Sequence, residues 1–434
     1  MTIAAYPKHE SYTDCGIDWI GEVPSTWSIE PGRQCLYESK EKNIGMKEST
    51  VLSLSYGRVI VKDEDKLTGL VPESFETYQV VQPGDIIIRG TDLQNDMTSL
   101  RTGLARDTGI ITSAYINLRP KADIDPKFLH YLLHSYDVKK VFYALGSGLR
   151  QNLSYEDFKY LRLPIPTPQE QRAIAAFLDG KCATIDEAVR IKEEQIRLLA
   201  ERRQILIQQA VTRGLSADAP MKDSGIDWIG QIPAHWEMKR LKDVSRSVKT
   251  GRTPPSSSAM DYFEGGTIPW YTPGDVQDGG VFDASEKRLS PSAISHGHVD
   301  MFPENCIFFI GIGGTLGKAN ISRVPASCNQ QFNVIEPNKD IVPDWLLVWL
   351  NVSRDVVFNQ TDYTTMPIMN QAKTKRIPLP VPSLGEQEEI LRTLRDRGAK
   401  INAAIALKES QITALREYKT SLINAAVTGK IKVL

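Results

Sequence analysis

Two stretches of the chain show the periodicity of long helices. From Gln169 to Thr212 and from Glu386 to Thr428 there is no proline, and apolar residues recur at alternating spacings of three and four. This spacing places the apolar residues on one stripe of a helix, which is typically buried against a partner helix. Each stretch predicts one helix of about 43 residues, roughly 65 Å long. We expect a bend in each helix at its glycine, Gly180 or Gly398.

The two predicted helices repeat one another at an offset of 216 residues. Two basic interruptions of the apolar stripe repeat as well, because Lys192 and Arg203 correspond to Lys408 and Lys419. Either their long stems cover apolar surface while the charges reach solvent, or they face a partner subunit or DNA phosphates. The simplest partner of each helix is the other, in an antiparallel pair. The predicted coiled-coil seam consists of Ile185, Val189, Ile196, Leu199 and Leu206 in the first helix and Ile401, Ile405, Ile412, Leu415 and Leu422 in the second.

The stretches outside these helices alternate short β-rich runs with turns. Helical patches are predicted at Pro126–Leu145 and Pro343–Phe358, in corresponding places of the two halves. Strands irregularly mixed with a few helices indicate an α+β domain. The predicted strands include Val51–Leu54, Arg58–Val61, Asp85–Ile88, Ile307–Ile310 and Phe332–Ile335.

Motifs at the start and end of each half show that the globular stretches are duplicated too. The segment from Asp14 to Trp27, DCGIDWIGEVPSTW, returns 209 residues later as DSGIDWIGQIPAHW. A Pro-rich exit followed by Glu170-Gln171 returns as a second exit followed by Glu386-Gln387. The predicted organisation has a first domain at 1–165, a first long helix at 169–212, a second domain at 213–380 and a second long helix at 386–428.

Composition limits the function classes without choosing among them. At 434 residues the chain exceeds the size of one hydrophobic core, so two or more domains are expected. It shows no apolar run long enough for a membrane helix and no leader-like N-terminus. Its five dispersed cysteines favour reduced thiols and a cytoplasmic location. The net charge of −1 argues against DNA binding, unless positive charge is local or comes from partner subunits.

Several patches resemble catalytic or metal-binding motifs and fail in detail. Gly311–Ala319 resembles a phosphate-binding loop but lacks the first glycine and the hydroxyl residue of that motif. His130 and His134 lie four residues apart without the glutamate of a zinc-protease motif, and His296 and His298 have no other ligand nearby in sequence. We therefore expect structural histidines, a glycine-rich turn that approaches a ligand closely, and no catalytic or metal-binding residues.

The order of these motifs resembles the specificity subunits of type I restriction-modification systems, over nearly the whole chain. The opening motif GIDWIG and the Pro-rich exit followed by Glu-Gln look like that family's framework, and both occur twice. The second half holds pieces similar to the family's target-recognition domains, namely GRTP, IPW, GDV, GTLGK and NQQF in this order. The first half departs from the pattern, because it lacks GRTP and has only Thr112-Ser113-Ala114-Tyr115 near the position of NQQF.

The resemblance implies two similar target-recognition domains in a pseudo-two-fold arrangement, separated by two long antiparallel coiled-coil helices. It implies a non-catalytic subunit in which each domain reads one part of a bipartite DNA target, mainly from the major groove. Each domain would recruit one methyltransferase subunit, and the helix pair would set the distance between the two parts. No cofactor is expected on this chain, because S-adenosylmethionine belongs to the methyltransferase that flips the adenine. Restriction-motor subunits complete the complex, and an inhibitor protein in the DNA site stays open as a partner.

Candidate base-reading residues are polar side chains in Gly-rich or polar loops of both halves. For each of them the alternative is a turn former, a strand cap or a phosphate contact that positions DNA without specifying its sequence. The candidates are Arg89, Thr91, Arg150, Gln151 and Asn152 in the first half and Arg252, Thr253, Thr315, Lys318, Asn329, Gln330 and Gln331 in the second.

Two other function classes stay open on the sequence alone. Two domains on a coiled coil would also suit a scaffold that bridges protein partners without reading DNA. An enzyme with an unfamiliar active site is the second alternative, although the motifs of methylases, nucleases and ATPases are missing.

Overall fold

The computed structural model describes residues 6–62, 74–96, 100–145, 152–255, 262–277, 280–359 and 367–434. The chain divides into two compact units. Unit 1 comprises Met1–Glu194 and Lys408–Leu434, and unit 2 comprises Gln195–Leu407. The first long helix is Pro168–Arg213 and the second is Leu384–Val427, so each of them contributes to both units.

Unit 1 is built on a four-stranded antiparallel sheet. Its inner strand Ile116–Pro120 pairs with Leu36–Glu38 on one side and Ile86–Ile88 on the other, and Thr102–Leu104 follows beyond Ile86–Ile88. The three isoleucines of that strand are fully buried, as expected for an unbroken apolar run. The smaller antiparallel pairs are Tyr12–Asp14 with Glu22–Pro24, Ser28–Pro31 with Arg162–Ile165, Leu52–Ser55 with Arg58–Val61, and Gln79–Val81 with Gly109–Ile111.

The main globular helix of unit 1, Pro126–Val138, has local start and stop signals. The Asp125 side chain accepts hydrogen bonds from two amides of the first turn. The helix ends before Lys140, which adopts a left-handed conformation with φ +62°, and a 3-10 turn follows at Val141–Ala144. The prediction of one helical patch as far as Leu145 is therefore wrong after Val138. The short helices of this unit are Gly32–Cys35, Tyr155–Lys159 and the 3-10 turn Phe75–Thr77.

Unit 2 repeats the four-stranded sheet with the same strand order. Its inner strand Phe332–Pro337 pairs with Ser245–Thr250 and Ile307–Ile310, and Ala319–Ile321 follows beyond Ile307–Ile310. The other pairs that recur from unit 1 are Met221–Asp223 with Gln231–Pro233 and Glu237–Arg240 with Pro378–Val381. Unit 2 also holds a three-stranded sheet formed by Lys287–Leu289, Ile268–Tyr271 and Ser327–Cys328. Its counterpart in unit 1 is the pair Leu52–Ser55 with Arg58–Val61, joined by a parallel bridge from Val51 to Ile110.

Tryptophans join the main helix of unit 2 to its Pro-rich exit strand. Trp345 and Trp349 are fully buried, and their indole N–H groups donate to the carbonyls of Pro380 (3.2 Å) and Pro378 (2.9 Å). A buried indole needs such an acceptor, and the exit strand supplies it. The predicted patch Pro343–Phe358 is two helices rather than one. The helices of the globular part are Pro291–Ser295, Pro343–Val352, Arg354–Asn359 and Gln371–Thr374, with 3-10 turns at Leu241–Asp243 and Pro273–Asp275.

The repeated Glu-Gln pair fastens each long helix to its globular domain. The Gln171 side chain is buried; it donates to the Pro166 carbonyl (2.9 Å) and accepts from the backbone N–H of Asp125 (2.8 Å). Gln387 makes the same two bonds in unit 2, to the Pro382 carbonyl and from the Val342 amide. One buried amide thus links the exit, the long helix and the start of the main globular helix in both units.

The long helices pair antiparallel within each unit. In unit 1, Lys192 lies opposite Gln411 and Asp186 lies opposite Lys419, so one helix runs backward as the other runs forward. Predicted seam residues Ile185 and Leu422 are buried in one core cluster of that unit. The other seam residues are buried or half-buried, as expected for a stripe that packs against the opposite helix.

The two long helices are not interrupted at the glycines where bends were predicted. Helical structure continues through Gly180 and Gly398, and a Cβ added at either glycine would meet no atom within 4 Å. Neither position therefore needs glycine for packing.

No helix in the described part of the chain is long and apolar enough to cross a membrane. All five cysteines are buried free thiols. Burial raises the pKa of Cys35 and of Cys306 to about 12, which keeps these thiols protonated and unreactive near neutral pH.

Candidate nucleic-acid interface

Two loops of unit 2 that are far apart in sequence lie side by side. The Arg252 amide donates to the Cys328 carbonyl at 2.9 Å, and the Thr253 hydroxyl donates to Gln330 Oε1 at 2.5 Å. Arg252, Thr253 and Gln330 are exposed. The structure thus brings together predicted residues from the GRTP and NQQF motifs, although 77 positions separate Thr253 from Gln330.

Gly251 permits this approach. A Cβ at this position would lie 2.3 Å from the Asn329 carbonyl oxygen and 2.4 Å from Cys328 Sγ. No side chain fits there without moving one of the two loops.

Asn329 and Gln331 play different parts from Gln330. Asn329 is buried, its amide donates to Gln331 Oε1 at 2.9 Å, and its own Oδ1 accepts from the Gln331 backbone at 3.0 Å. Asn329 therefore shapes the turn, while Gln331 is half-buried and Gln330 points outward.

The glycine-rich loop at 311–317 adjoins this turn. The Gly311 amide donates to the Gln331 carbonyl at 2.8 Å, and Gly313 has φ +106°, a conformation that favours glycine. Predicted residue Thr315 is exposed on this loop, and Lys318 is half-buried where the loop enters the next strand. We call the loops 251–254, 311–317 and 329–331 the second loop surface.

A cleft of about 360 Å³ opens beside the second loop surface. Gln330 and Gln331 line one part of it, and Asn370 and Gln371 line another. Sequence reasoning missed the last two. The available signal was position, because Asn370 caps the short helix Gln371–Thr374 as Ser154 caps Tyr155–Lys159 in unit 1.

In unit 1 the structure brings Arg89, Thr91 and Asn152 together. Asn152 Oδ1 accepts from the Asp92 amide at 2.9 Å, and the Leu153 amide donates to the Gly90 carbonyl at 2.7 Å. Thr91 and Asn152 are exposed, and Arg89 is half-buried with an ion pair to Asp96 at 3.1 Å. We call the loop 89–96 together with residues 152–153 the first loop surface. The predicted residues Arg150 and Gln151 lie outside the described residues.

The two loop surfaces occupy equivalent places. Each follows the buried strand next to the inner strand of its sheet, Ile86–Ile88 or Ile307–Ile310. The bond from the Leu153 amide to the Gly90 carbonyl has its counterpart in unit 2, where the Met369 amide donates to the Gly311 carbonyl at 2.8 Å. One backbone frame thus carries different side chains in the two units.

The paired histidines differ in their surroundings. Burial and the neighbouring His134 lower the pKa of His130 to about 3, and burial lowers the pKa of His134 to about 4, so both are neutral at pH 7. His296 instead pairs with the Tyr262 hydroxyl at 3.2 Å. Among the residues that the structure describes, no three His, Cys, Asp or Glu side chains cluster as metal ligands.

Comparison with known families decides among the function classes. The model of the type I restriction modification DNA specificity domain matches residues 102–197 and 233–414, which together make up more than half of the chain. The chain belongs to this family. The match includes parts of both units and of both long helices.

Relatives of this specificity-domain protein match along most of its length. The MjaX specificity subunit of a type I restriction enzyme from Methanocaldococcus jannaschii is 22% identical over 432 residues, which cover 95% of this chain and 96% of the relative. A chain from a solved type I R-M system has a TM-score of 0.70 at 17% identity and covers 93% of this chain and 98% of its own. The HsdS subunit from Thermoanaerobacter tengcongensis has a TM-score of 0.58 at 16% identity, covering 94% and 98%.

These findings confirm the α+β fold with two similar domains and the assignment as a non-catalytic specificity subunit of a type I restriction-modification system. They favour this assignment over a scaffold that does not read DNA. The loop residues chosen as base readers stay predictions.

Proposed function

We propose that the first and second loop surfaces each read one part of a bipartite DNA target, within a complex with two methyltransferase subunits and restriction-motor subunits. The observation that carries this proposal is the pair of equivalent loop surfaces on one repeated frame, with different polar side chains in each. Arginine and amide side chains match the donor and acceptor patterns that bases show in the major groove.

The division of labour accounts for the charge of the chain. A net charge of −1 supplies little non-specific affinity for phosphates, so the partner subunits would hold much of the DNA backbone. We propose that S-adenosylmethionine is bound by the methyltransferase and that the chain itself carries no cofactor. An inhibitor in the DNA site would have to cover these same loops.

The experiment maps methylated adenines in a host that expresses the full chain with its methyltransferase subunit. We expect a two-part methylated motif. Exchange of residues 13–165 for those of another specificity subunit should change the first part and keep the second, because the loop surfaces lie in separate halves of the sequence. The matched exchange of residues 222–380 should do the reverse. A swap that altered both parts, or methylation without a motif, would contradict the proposal.

A further inference from the structure

A buried arginine, Arg101, binds the loop 89–96 of the first loop surface from the protein interior. Arg101 is fully buried and stands directly before the strand Thr102–Leu104. Within the part of the chain that the structure describes, its two terminal nitrogens donate to backbone carbonyls of the loop 89–96. The accepting carbonyls are those of Arg89, Thr91, Asp92 and Asp96, at 3.1, 2.8, 3.3 and 2.5 Å.

The rest of Arg101 is anchored on the helical side of unit 1. Its Nε donates to the Tyr143 hydroxyl at 3.2 Å, and its cation lies 5.3 Å from the centre of that ring. Its backbone amide donates to Asp137 Oδ2 at 2.6 Å. Burial of a guanidinium costs less free energy when its N–H groups are hydrogen-bonded. Most N–H groups of Arg101 donate to the loop 89–96.

We propose that Arg101 is a positioning residue, which holds the loop 89–96 in the shape that presents Arg89 and Thr91 and thereby specifies the first part of the target. This inference rests on the proposed function. Arg101 itself does not touch DNA, because no part of it reaches the surface.

The loop needs such support because its own backbone provides little. Asp92 adopts φ +58°, and among the described residues one backbone hydrogen bond lies within the loop, from the Asp96 amide to the Asp92 carbonyl at 3.2 Å. Four carbonyls accept from the planar guanidinium group of Arg101. A lysine ammonium has only three donors and cannot reproduce this planar arrangement. Loss of the guanidinium would remove one donor from each of these carbonyls, and the loop would relax toward water.

In unit 2 the equivalent loop, 311–317, is held by different residues. The position equivalent to Arg101 is Lys318, since Ile310 bonds to its carbonyl as Arg89 bonds to that of Arg101. The loop 311–317 is shaped by Gly313 and Gly317, with φ +106° and +85°, and by Arg354 Nε, which donates to the Leu316 carbonyl at 3.2 Å. An effect of Arg101 should therefore be confined to the first part of the target.

The test uses the full chain with its methyltransferase partner and a library of double-stranded DNA with randomised positions, followed by competition with duplexes altered in one part. We expect Arg101→Met to reduce the preference for the first part about tenfold or more, and to leave the second-part preference as in the wild type. Arg101→Lys should restore some of the lost preference, because one or two carbonyls regain a donor.

Arg119→Met is the matched control. It removes a partly buried arginine of the same sheet, which bonds both Asp85 oxygens at 2.7 and 2.8 Å and does not contact the loop. It should lower the thermal midpoint and keep both preferences. If Arg101→Met does not fold, Tyr143→Phe is the second variant. It removes the acceptor of Arg101 Nε and the bond from the Tyr143 hydroxyl to the Asp96 carbonyl (3.3 Å), so it loosens the same loop and should weaken the first-part preference alone.

Two results would overturn the inference. The first is an unchanged first-part preference in a folded Arg101→Met or Tyr143→Phe protein. The second is an equal loss of both preferences in Arg101→Met and Arg119→Met, which would reduce the role of Arg101 to stability. A wild-type complex without any sequence preference would instead refute the proposed function on which the inference rests.

Discussion

Single buried amides and glycines carry much of the architecture of this chain. Gln171 and Gln387 each join three segments through two hydrogen bonds, and they do so at equivalent places in the two units. Glu386, beside Gln387, accepts from the Trp236 indole at 3.0 Å and pairs with His235 at 2.9 Å. The Glu-Gln motif is thus explained by its bonds to the framework, away from both loop surfaces.

Gly251 offers a direct test at the residue scale. We expect Gly251→Ala to reduce the preference for the second part of the target about tenfold, because the added Cβ forces the loops 251–254 and 329–331 apart. The first-part preference should persist. Competition binding with duplexes altered in either part measures both.

Gly385→Ala is the control for this substitution. Gly385 lies in the first turn of the second long helix, and an added Cβ would meet nothing within 4 Å. It should leave both preferences intact. Unchanged second-part preference in Gly251→Ala would show that the approach of the two loops is irrelevant to reading.

The helix pairs show what the basic interruptions of the seam do. Lys192 Nζ donates to Gln411 Oε1 at 2.7 Å, and Arg203 donates to Asn402 Oδ1 at 3.1 Å. Lys419 pairs with Asp186 at 2.7 Å, and this contact is the equivalent of Arg203 with Asn402 at the offset of 216. Three of the four basic residues therefore bond across to the opposite helix, which favours the structural alternative over contact with DNA phosphates.

A substitution at Lys419 tests this interpretation at the scale of the helix pair. We expect Lys419→Met to lower the free energy of unfolding by less than about 1 kcal/mol, since the pair with Asp186 is partly exposed. The slope of log affinity against log salt concentration should not change. A phosphate contact would instead reduce that slope by about one.

Arg252→Met is the comparison for the salt measurement. Arg252 is largely exposed on the second loop surface. Its substitution should alter either the slope of log affinity against log salt concentration or the second-part preference. If Lys419→Met changed the slope and Arg252→Met had no effect on either quantity, the assignment of DNA contacts to the loop surfaces would be wrong.

At the scale of the whole molecule, the framework elements repeat between the two units, whereas the loop surfaces differ. The four-stranded sheet, the exit strand and the long helices recur, and the strand pair Leu52–Ser55 with Arg58–Val61 corresponds to Ile268–Tyr271 with Lys287–Leu289. The side chains of the two loop surfaces differ. This distribution suits a frame that is kept while the target changes.

The long helices allow a prediction about the target as a whole. One heptad inserted before Gln195 and one before Gln411 face each other in the antiparallel pair and add about 10 Å of helix. We expect the spacer between the two target parts to lengthen by about three base pairs, at 3.4 Å per base pair, while both parts stay the same. Methylation mapping measures the spacer.

A single heptad in the first helix alone is the control for this insertion. It adds seven residues, about two of them at seam positions, without a partner on the other helix, and should lower the thermal midpoint and the extent of methylation. An unchanged spacer in the double insertion would mean that the helices do not set the distance.

The sequence by itself determined the duplication, the two long helices and the seam between them. The helices and their seam are read from apolar residues three and four positions apart, and the duplication is read from repeated motifs. Both signals are present in a single sequence. It also predicted three strands of the two four-stranded sheets, Asp85–Ile88, Ile307–Ile310 and Phe332–Ile335, because these buried strands read as apolar runs. The inner strand Ile116–Pro120 was not among the predicted strands. The helix ends at Val138 and Val352 were missed, since backbone conformations after them depend on local packing.

Only the tertiary structure decided which loops meet and what holds them. Thr253 and Gln330, or Arg101 and the carbonyls of residues 89–96, come together through the pairing of distant strands, and no local pattern encodes that pairing. Asn329 was predicted as a reader and lies buried as a turn former, because its amide bonds to Gln331. Arg101 carries no motif at all: its importance comes from the direction of four backbone carbonyls, which exists only in the folded chain.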